Sequence, residues 1–226
     1  MKLRFFLFTL IPFLSIFGQQ STESKAKIEA LRIEEEMHVD GQLKEKAWQT
    51  ASAVHSFTQL KPYPGNPARK KTEVRMVYND DALYISAICY DDPDSISNVL
   101  SLRDDYNPNL DVFQVYLDTY NDDQNGFYFG VTSRGVQIDA KITGSNYIGE
   151  LNLAWHSAVS ITENSWIVEI RIPYSAIRFP KKDIQSWGVN FSRDISRYRE
   201  ESTWVKVNPD LENFLIENGD VVGISG

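Results

Sequence analysis

Acidic residues crowd several predicted loops and are the first candidates for specific chemistry. Asp91 and Asp92 follow a β-rich segment, and Asp122 lies in a turn before Gly126. Carboxylate oxygens gathered on loops are the ligands that calcium prefers, so these three residues are candidate ligands of a structural calcium ion. The spacing of an EF-hand is absent. The alternative interpretation is that aspartates favour turns and are simply solvated there.

Aromatic residues are the second group with chemical potential, because the chain holds 5 Trp, 11 Tyr and 12 Phe. Flat rings in loops can stack on the C–H faces of a sugar, while neighbouring amides and carboxylates bond its hydroxyl groups. The rings in predicted loops are Tyr63, Tyr106, Tyr120, Tyr147 and Phe214. Trp48, Trp166 and Trp187 lie among apolar neighbours, which is typical of core residues. Composition alone leaves both uses open.

The common enzyme motifs are absent. The chain has no G-x-S-x-G, no H-E-x-x-H and no glycine-rich phosphate loop. His38, His55 and His156 are far apart in sequence and lie within or beside predicted strands, which favours structural roles. Cys89 is the single cysteine, so no internal disulfide can form, and its strand position indicates a buried, inert thiol. We therefore expect a non-catalytic protein.

Charge and composition narrow the class of protein further. There are 31 acidic and 23 basic residues, and the net charge of −8 argues against nucleic acid as a partner. Hydrophobic residues make up 42% and charged residues 24%, which is ordinary globular composition. A length of 226 residues suits a single β-rich domain.

The N-terminus carries the pattern of a secretory signal. Lys2 and Arg4 precede an apolar run over 5–17, which is too short for a membrane span of about twenty residues. We expect cleavage after Gly18, a disordered leader over 19–27 and one domain over 28–226. The protein would then be exported, to the periplasm, the outer membrane or the medium. An uncleaved anchor is the alternative, because the cleavage point lacks the usual small residues.

The remainder reads as short strands with little helix. Alternation and turn residues predict hairpins at 71–79 with 82–90, 127–132 with 136–142, and 155–162 with 166–172. Further strands are predicted at 111–117, 187–195, 203–207 and 221–224, and short helices at 41–51 and 173–177. The predicted fold is an all-β, jelly-roll-like antiparallel β-sandwich with one or two short helices. Its predicted buried face includes Trp48, Val74, Met76, Leu83, Ile85, Val115, Leu117, Ile170, Trp187 and Val189.

Several segments together resemble a known family. They are Val39-Asp40-Gly41-Gln42-Leu43 with Trp48, then the segments 72–75, 82–85, 111–118, 166–173 and 187–193. In this order they resemble the family 9 carbohydrate-binding modules over about residues 28–224. The resemblance is greatest to the branch at the N-terminus of larger exported bacterial proteins of unknown function. It implies a β-sandwich that binds sugar without catalysis, with structural calcium in its loops.

The resemblance also implies where a sugar would bind. Sugar-binding members clamp a terminal sugar between two tryptophans, beside a glutamate and an arginine. The glutamate position falls on Gln114, and the first tryptophan falls near Pro108, where Tyr106 is the nearest ring. The arginine position falls on Gly130, with Arg134 in the same hairpin. For the second tryptophan the chain offers only Phe214 or Tyr198, so the clamp is altered or lost.

Gln114 is the centre of the predicted site. It lies mid-strand between Phe113 and Val115, so its side chain points away from theirs. An ordinary solvent-facing position explains this pattern equally well. An aromatic face, an amide and a guanidinium are the groups that a pyranose needs. The candidate sugar-binding residues are Tyr106, Asn109, Gln114, Arg134 and Phe214.

Three functions therefore stay open at the level of sequence. The first is a carbohydrate-binding module of an exported polysaccharide-binding or polysaccharide-degrading system, with an oligosaccharide or polysaccharide as partner. The second is an interaction domain that has lost sugar binding and docks a membrane barrel or a partner protein. The third is a haem-binding sandwich, in which Met76 and a histidine would be axial ligands.

Overall fold

The computed structural model describes residues 25–149 and 152–225. The predicted signal peptide and most of the predicted leader lie outside these residues. The strands are β1 (Lys27–Arg32), β2 (Thr58–Lys61), β3 (Thr72–Tyr78), β4 (Ala82–Tyr90), β5 (Val112–Asp118), β6 (Asn125–Thr132), β7 (Gln137–Thr143), β8 (Asn146–Ile148), β9 (His156–Ile161), β10 (Ser165–Pro173), β11 (Trp187–Ile195), β12 (Glu200–Thr203) and β13 (Gly219–Val222). One α-helix, α1 (Lys46–Thr50), and short 3-10 turns at Pro93–Ser95, Tyr174–Ala176, Ser196–Tyr198 and Phe214–Glu217 complete the described elements.

The strands form two layers of one curled sheet. The first layer runs β8-β7-β6-β5-β11-β13, with β12 and β2 attached beside β11, and the second runs β3-β4-β10-β9. Strand β1 joins the layers and pairs in parallel with both β13 and β3. The other ladders are antiparallel. The predicted all-β sandwich is confirmed, with β1 as the exception to its antiparallel pairing.

The core lies between the layers, as the alternation of apolar residues requires. All ten residues of the predicted buried face are at most 3% exposed. Trp48 belongs to a second, smaller cluster that packs α1 against the outside of β3 and β4. Cys89 is fully buried as predicted, and burial raises the pKa of its thiol to about 12.

Two predicted elements differ from those observed. The helix expected over 41–51 forms only at Lys46–Thr50, because Gly41 takes a left-handed φ of 82° and its N–H bonds to Glu169 on β10. The strand expected over 203–207 lies at Glu200–Thr203 instead. Beyond Trp204 the N–H of Val205 bonds to the Asn190 side chain rather than to a strand. Strands β1, β2 and β8 were not predicted.

The helical segments of the described residues are all short. None of them is long and apolar enough to cross a membrane.

Candidate functional site

The side of β5, β6 and β11 that faces away from the core, here called the outer face, holds the predicted centre of the site. Phe113, Val115 and Phe191 belong to the core cluster. Because side chains alternate along a strand, Gln114 on β5 and Ser192 on β11 point the other way. The two residues are directly opposite each other in the β5–β11 ladder. The antiparallel register thus brings together residues 78 positions apart in sequence.

Gln114 is buried rather than solvent-facing. Its side-chain oxygen accepts hydrogen bonds from Tyr128 Oη at 3.0 Å and Tyr116 Oη at 3.2 Å. Its amide nitrogen is buried and has no partner among the described residues. Two tyrosine hydroxyl groups therefore orient the amide and leave its two donors available.

A row of buried polar atoms continues from Gln114 onto β11. Gln114 Nε2, Ser192 Oγ and Asp194 Oδ1 each lack a hydrogen-bond partner among the described residues. We call Gln114, Ser192 and Asp194 the polar row. Unpaired buried polar atoms are costly, and they are usually satisfied by water or a ligand. The row offers amide donors, a hydroxyl and a carboxylate acceptor, which is the mixture that sugar hydroxyl groups can satisfy.

Asp194 ends the polar row and lies beside a second acid. Its Oδ2 accepts a hydrogen bond from Tyr106 Oη at 2.7 Å. Glu201 lies opposite Asp194 in the β11–β12 ladder and pairs with Lys61 at 2.9 Å. Burial, and then the charge of Glu201, raise the pKa of Asp194 to about 7. Near neutral pH this group can therefore act as donor or acceptor.

Four tyrosines border the polar row: Tyr106, Tyr116, Tyr128 and Tyr147. Tyr116 and Tyr128 are buried and pack edge to face, with ring centroids 5.3 Å apart. Tyr106 and Tyr147 remain 53% and 46% exposed, so they form the accessible part of the border. Burial is the main cause that raises the pKa of Tyr147 to about 12, so its hydroxyl stays protonated and can donate.

Gly130 lies opposite Gln114 in the β5–β6 ladder, and the space beside it is filled. A Cβ atom built there would lie 2.7 Å from Tyr128 Oη. The space that a side chain at Gly130 would fill is therefore taken by the Tyr128 hydroxyl, which donates to Gln114. The absence of a side chain at Gly130 lets the ring of Tyr128, on the same strand, lie over it.

The five predicted sugar-binding residues lie in different surroundings. Gln114 belongs to the polar row and accepts a hydrogen bond from Tyr128, and Tyr106 donates to Asp194 at the end of the row. Phe214 stacks on Tyr116 with ring centroids 4.3 Å apart, so it covers the neighbouring part of the outer face. Asn109 is exposed in the loop before β5 and accepts from Ser97 through its backbone oxygen. Arg134 is exposed in the β6–β7 turn, and its guanidinium bonds to none of the described residues.

Ser192, Asp194, Glu201 and Lys61 were missed as site residues. A signal for two of them was present in the segment 189–195, where polar Asn190, Ser192 and Asp194 alternate with larger inward-facing residues. Lys61 and Glu201 carry no such signal, because their place depends on the pairing of β2 with β12.

The three candidate calcium ligands lie in separate hydrogen-bonding arrangements. Asp91 forms ion pairs with Arg193, Arg197 and Lys70. Burial alone would raise the pKa of Asp91, but its hydrogen bonds and the nearby arginine charges, with Arg197 first among them, lower it overall. Asp92 accepts from the N–H of Asp94, and Asp122 accepts from two backbone N–H groups in its own turn. Within 25–149 and 152–225, no three His, Cys, Asp or Glu side chains are gathered as a metal site. Structural calcium stays a prediction.

The haem interpretation finds no axial pair. Met76 is fully buried in the core cluster, whereas His38, His55 and His156 are exposed. A histidine and Met76 therefore do not face a common cavity.

Comparisons with known proteins identify the family and the fold. The profile of the family described as "Carbohydrate family 9 binding domain-like" matches residues 39–202. No curated protein matches the chain.

Three solved structures share its fold. A family 9 carbohydrate-binding module of Caldicellulosiruptor kristjanssonii in complex with cellotriose is 15% identical, with a TM-score of 0.60 over 87% of this chain and 93% of that one. The module from the same organism in complex with glucose is 14% identical, with a TM-score of 0.62 over 89% and 97%. A Bacteroides uniformis protein is 13% identical, with a TM-score of 0.69 over 88% and 99%. At such identities the likeness shows the fold.

The family match covers most of the chain and spans every residue of the polar row. The β5–β11 register and the motif around Trp48 lie within it, whereas β1 and β13 lie outside it. The chain belongs to the carbohydrate family 9 binding domain-like family.

Proposed function

We propose that this protein is a non-catalytic carbohydrate-binding module that binds an oligosaccharide, or the end of a polysaccharide, on its outer face. The observation that carries the proposal is the polar row, in which Gln114, Ser192 and Asp194 hold buried, unpartnered polar atoms between tyrosine rings. Membership of the family supports it, as do relatives of the same fold in complex with glucose and cellotriose.

Binding requires one border tyrosine to move, because the atoms of the polar row are buried. Tyr106 is suited to this movement. It lies in the loop before β5, half of its surface is exposed, and a single side-chain hydrogen bond ties it to Asp194. A sugar hydroxyl that replaces the Tyr106 hydroxyl would keep Asp194 satisfied, while the displaced ring would be free to stack on the sugar face.

The expected affinity is low. The chain has no tryptophan at the two clamp positions that the family resemblance implies, and each aromatic stacking contact is worth about 0.5–1.5 kcal/mol beyond burial. The dissociation constant is therefore expected to be no lower than about 1 mM, which corresponds to roughly −4 kcal/mol.

Calorimetry against a panel of oligosaccharides tests the proposal. Gln114→Ala and Ser192→Ala should each abolish measurable binding, and Tyr106→Ala, which removes the stacking ring, should weaken it. Tyr120→Ala is the matched control, because Tyr120 is 45% exposed but follows β5 at its opposite end. Binding that survives the first two substitutions places the site elsewhere. No binding to any glycan favours the alternative, an interaction domain that docks a membrane barrel or partner protein.

Export is part of the same proposal and rests on the N-terminal sequence. Protein isolated from its native host should begin near Gln19, as N-terminal sequencing would show. A start at Met1 with the protein in the cytosol would contradict it. In the exported setting the module would hold a polysaccharide for a separate hydrolase.

A further inference from the structure

A second pocket lies at one end of the sandwich, away from the outer face. It has a volume of about 280 Å³. It forms where the β3–β4 turn, the 3-10 turn after β10 and the start of β11 meet residues 224–225. We call it the end pocket. Residues that line it include Asn79, Tyr174, Phe179, Gln185, Trp187 and Ile224.

Three residues of the end pocket carry buried polar atoms without a partner among the described residues. They are Trp187 Nε1, Gln185 Oε1 and Tyr174 Oη. Trp187 is 1% exposed and Gln185 is 7% exposed. Gln185 Nε2 already donates to the Lys182 carbonyl, which fixes the amide with its oxygen free. The residues around the end pocket thus hold one donor, one acceptor and one hydroxyl that can do either. Because all three atoms are buried behind the pocket wall, binding requires lining side chains to turn towards the ligand.

The walls of the end pocket are aromatic and carry no unpaired charge. The rings of Tyr174, Phe179 and Trp187 pack at steep angles to one another, with centroids 5.3–6.4 Å apart. Asp80 is the one charged residue of the lining, and it pairs with Arg32 at 2.6 Å. A neutral ligand therefore suits the pocket better than an ion.

The size of the end pocket restricts the ligand to a single ring. A cavity of about 150 Å³ accommodates benzene, and pockets for drug-sized ligands begin at about 300 Å³. A volume of 280 Å³ therefore fits a six-membered ring that carries several hydroxyl groups. Those hydroxyl groups both donate and accept, as the three unpartnered atoms require.

The end pocket is separate from the polar row. Trp187 begins β11 and Asp194 lies near its other end, about 23 Å away along an extended strand. Trp187 also belongs to the core cluster, so it points to the opposite face from Asp194.

We propose that the end pocket binds one neutral sugar ring, held by Trp187 Nε1, Gln185 Oε1 and Tyr174 Oη against the three aromatic rings. This second site is independent of the polar row.

Amide correlation spectra of ¹⁵N-labelled protein provide the test, because each indole N–H gives its own signal. The Trp187 signal is identified by its loss in Trp187→Phe. The protein is titrated to about 100 mM with glucose, galactose, mannose, xylose and N-acetylglucosamine. The corresponding disaccharides form a second arm that distinguishes a free sugar from the end of a chain. We expect one sugar to shift the Trp187 signal saturably.

Two variants localise the effect. Gln185→Met keeps the side-chain length and removes the acceptor, and Tyr174→Phe removes only the hydroxyl group. Each should raise the dissociation constant at least about tenfold, while Ser192→Ala, which removes part of the polar row, should leave it unchanged. If one variant fails to fold, the other decides. An unshifted Trp187 signal with every sugar, or an unchanged affinity in the folded variants, overturns the proposal. Loss of outer-face binding in Ser192→Ala concerns the proposed function alone.

Discussion

Trp48 donates its indole N–H to the Glu169 carboxylate at 2.8 Å, across 121 residues of sequence. The other carboxylate oxygen accepts the backbone N–H groups of Asp40 and Gly41. Glu169 thereby ties the segment before α1 and the helix itself to β10. This bonding explains why the Val-Asp-Gly segment, Trp48 and the strand around Glu169 occur together in the motif: they form one buried contact.

Substitutions at this contact should destabilise the fold strongly. Glu169 is 1% exposed, so Glu169→Gln places an amide NH₂ group against an N–H donor and should cost about 2–4 kcal/mol of unfolding free energy. Trp48→Phe removes one donor and should cost about 1–3 kcal/mol. Urea denaturation measures both. Glu163→Gln, in an exposed turn, should stay within about 0.5 kcal/mol. Strict additivity in the double variant would contradict a direct Trp48–Glu169 interaction.

Stability should depend on pH through Asp194. Because burial and Glu201 raise its folded-state pKa to about 7, the folded protein keeps a proton that the unfolded chain loses above about pH 4. The contribution of Asp194 to stability is therefore largest below about pH 4, falls as the pH rises towards about 7, and is constant above that.

Asp194→Asn should remove this part of the pH dependence, which is on the order of 2–4 kcal/mol. Urea denaturation between about pH 4.5 and 8.5 compares it with the wild type. Asp183→Asn, at an exposed position, should keep the wild-type slope. Identical slopes in wild type and Asp194→Asn would show that Asp194 ionises normally in the folded protein.

Gly130→Ala should disturb the polar row through Tyr128. The new Cβ atom would lie 2.7 Å from Tyr128 Oη, which forces the ring and its bond to Gln114 to move. We expect a loss of about 1–3 kcal/mol in stability together with loss of sugar binding. The cost should shrink in a Tyr128→Phe background, where the closest atom is gone. Gly149→Ala, which meets no atom within 4 Å, is the control. An equal cost in both backgrounds would exclude the steric explanation.

Trp187→Ala should show how far the core depends on its large side chains. Trp187 is 1% exposed and packs against Phe179, with centroids 5.3 Å apart. Its truncation leaves a cavity and should cost about 3–5 kcal/mol. Thermal denaturation followed by circular dichroism measures the change. An unchanged melting temperature would mean that the ring does not contribute to the core.

The periodicity of the sequence was enough to predict most of the architecture. Apolar residues such as Val115 and Val189 alternate with polar ones, and this period of two specifies both a strand and its buried face. Two of the three unpredicted strands, β2 and β8, are short. β8 has three residues, all of them exposed. β2 has only four, and of these only Gln59 and Leu60 are buried. Their pairing partners, not their composition, make them strands.

The candidate site was predicted only in part. Gln114 was identified by its resemblance to the family's glutamate and by its polar character between Phe113 and Val115. Its burial was not predictable, since it depends on two tyrosines that reach across from β5 and β6. Asn109 and Arg134 are near Gln114 in the chain but do not bond to it, because nearness in sequence does not specify side-chain direction in a loop.

The sequence by itself determined the class of fold, the buried face and the family, because each depends on local periodicity or on short motifs. Only the tertiary structure decided that Gln114 faces Ser192 and that Asp194 faces Glu201. It also decided that Tyr106 closes over Asp194. The physical reason is that these contacts form between strands distant in the chain, where the ladder register selects partners that no local pattern specifies.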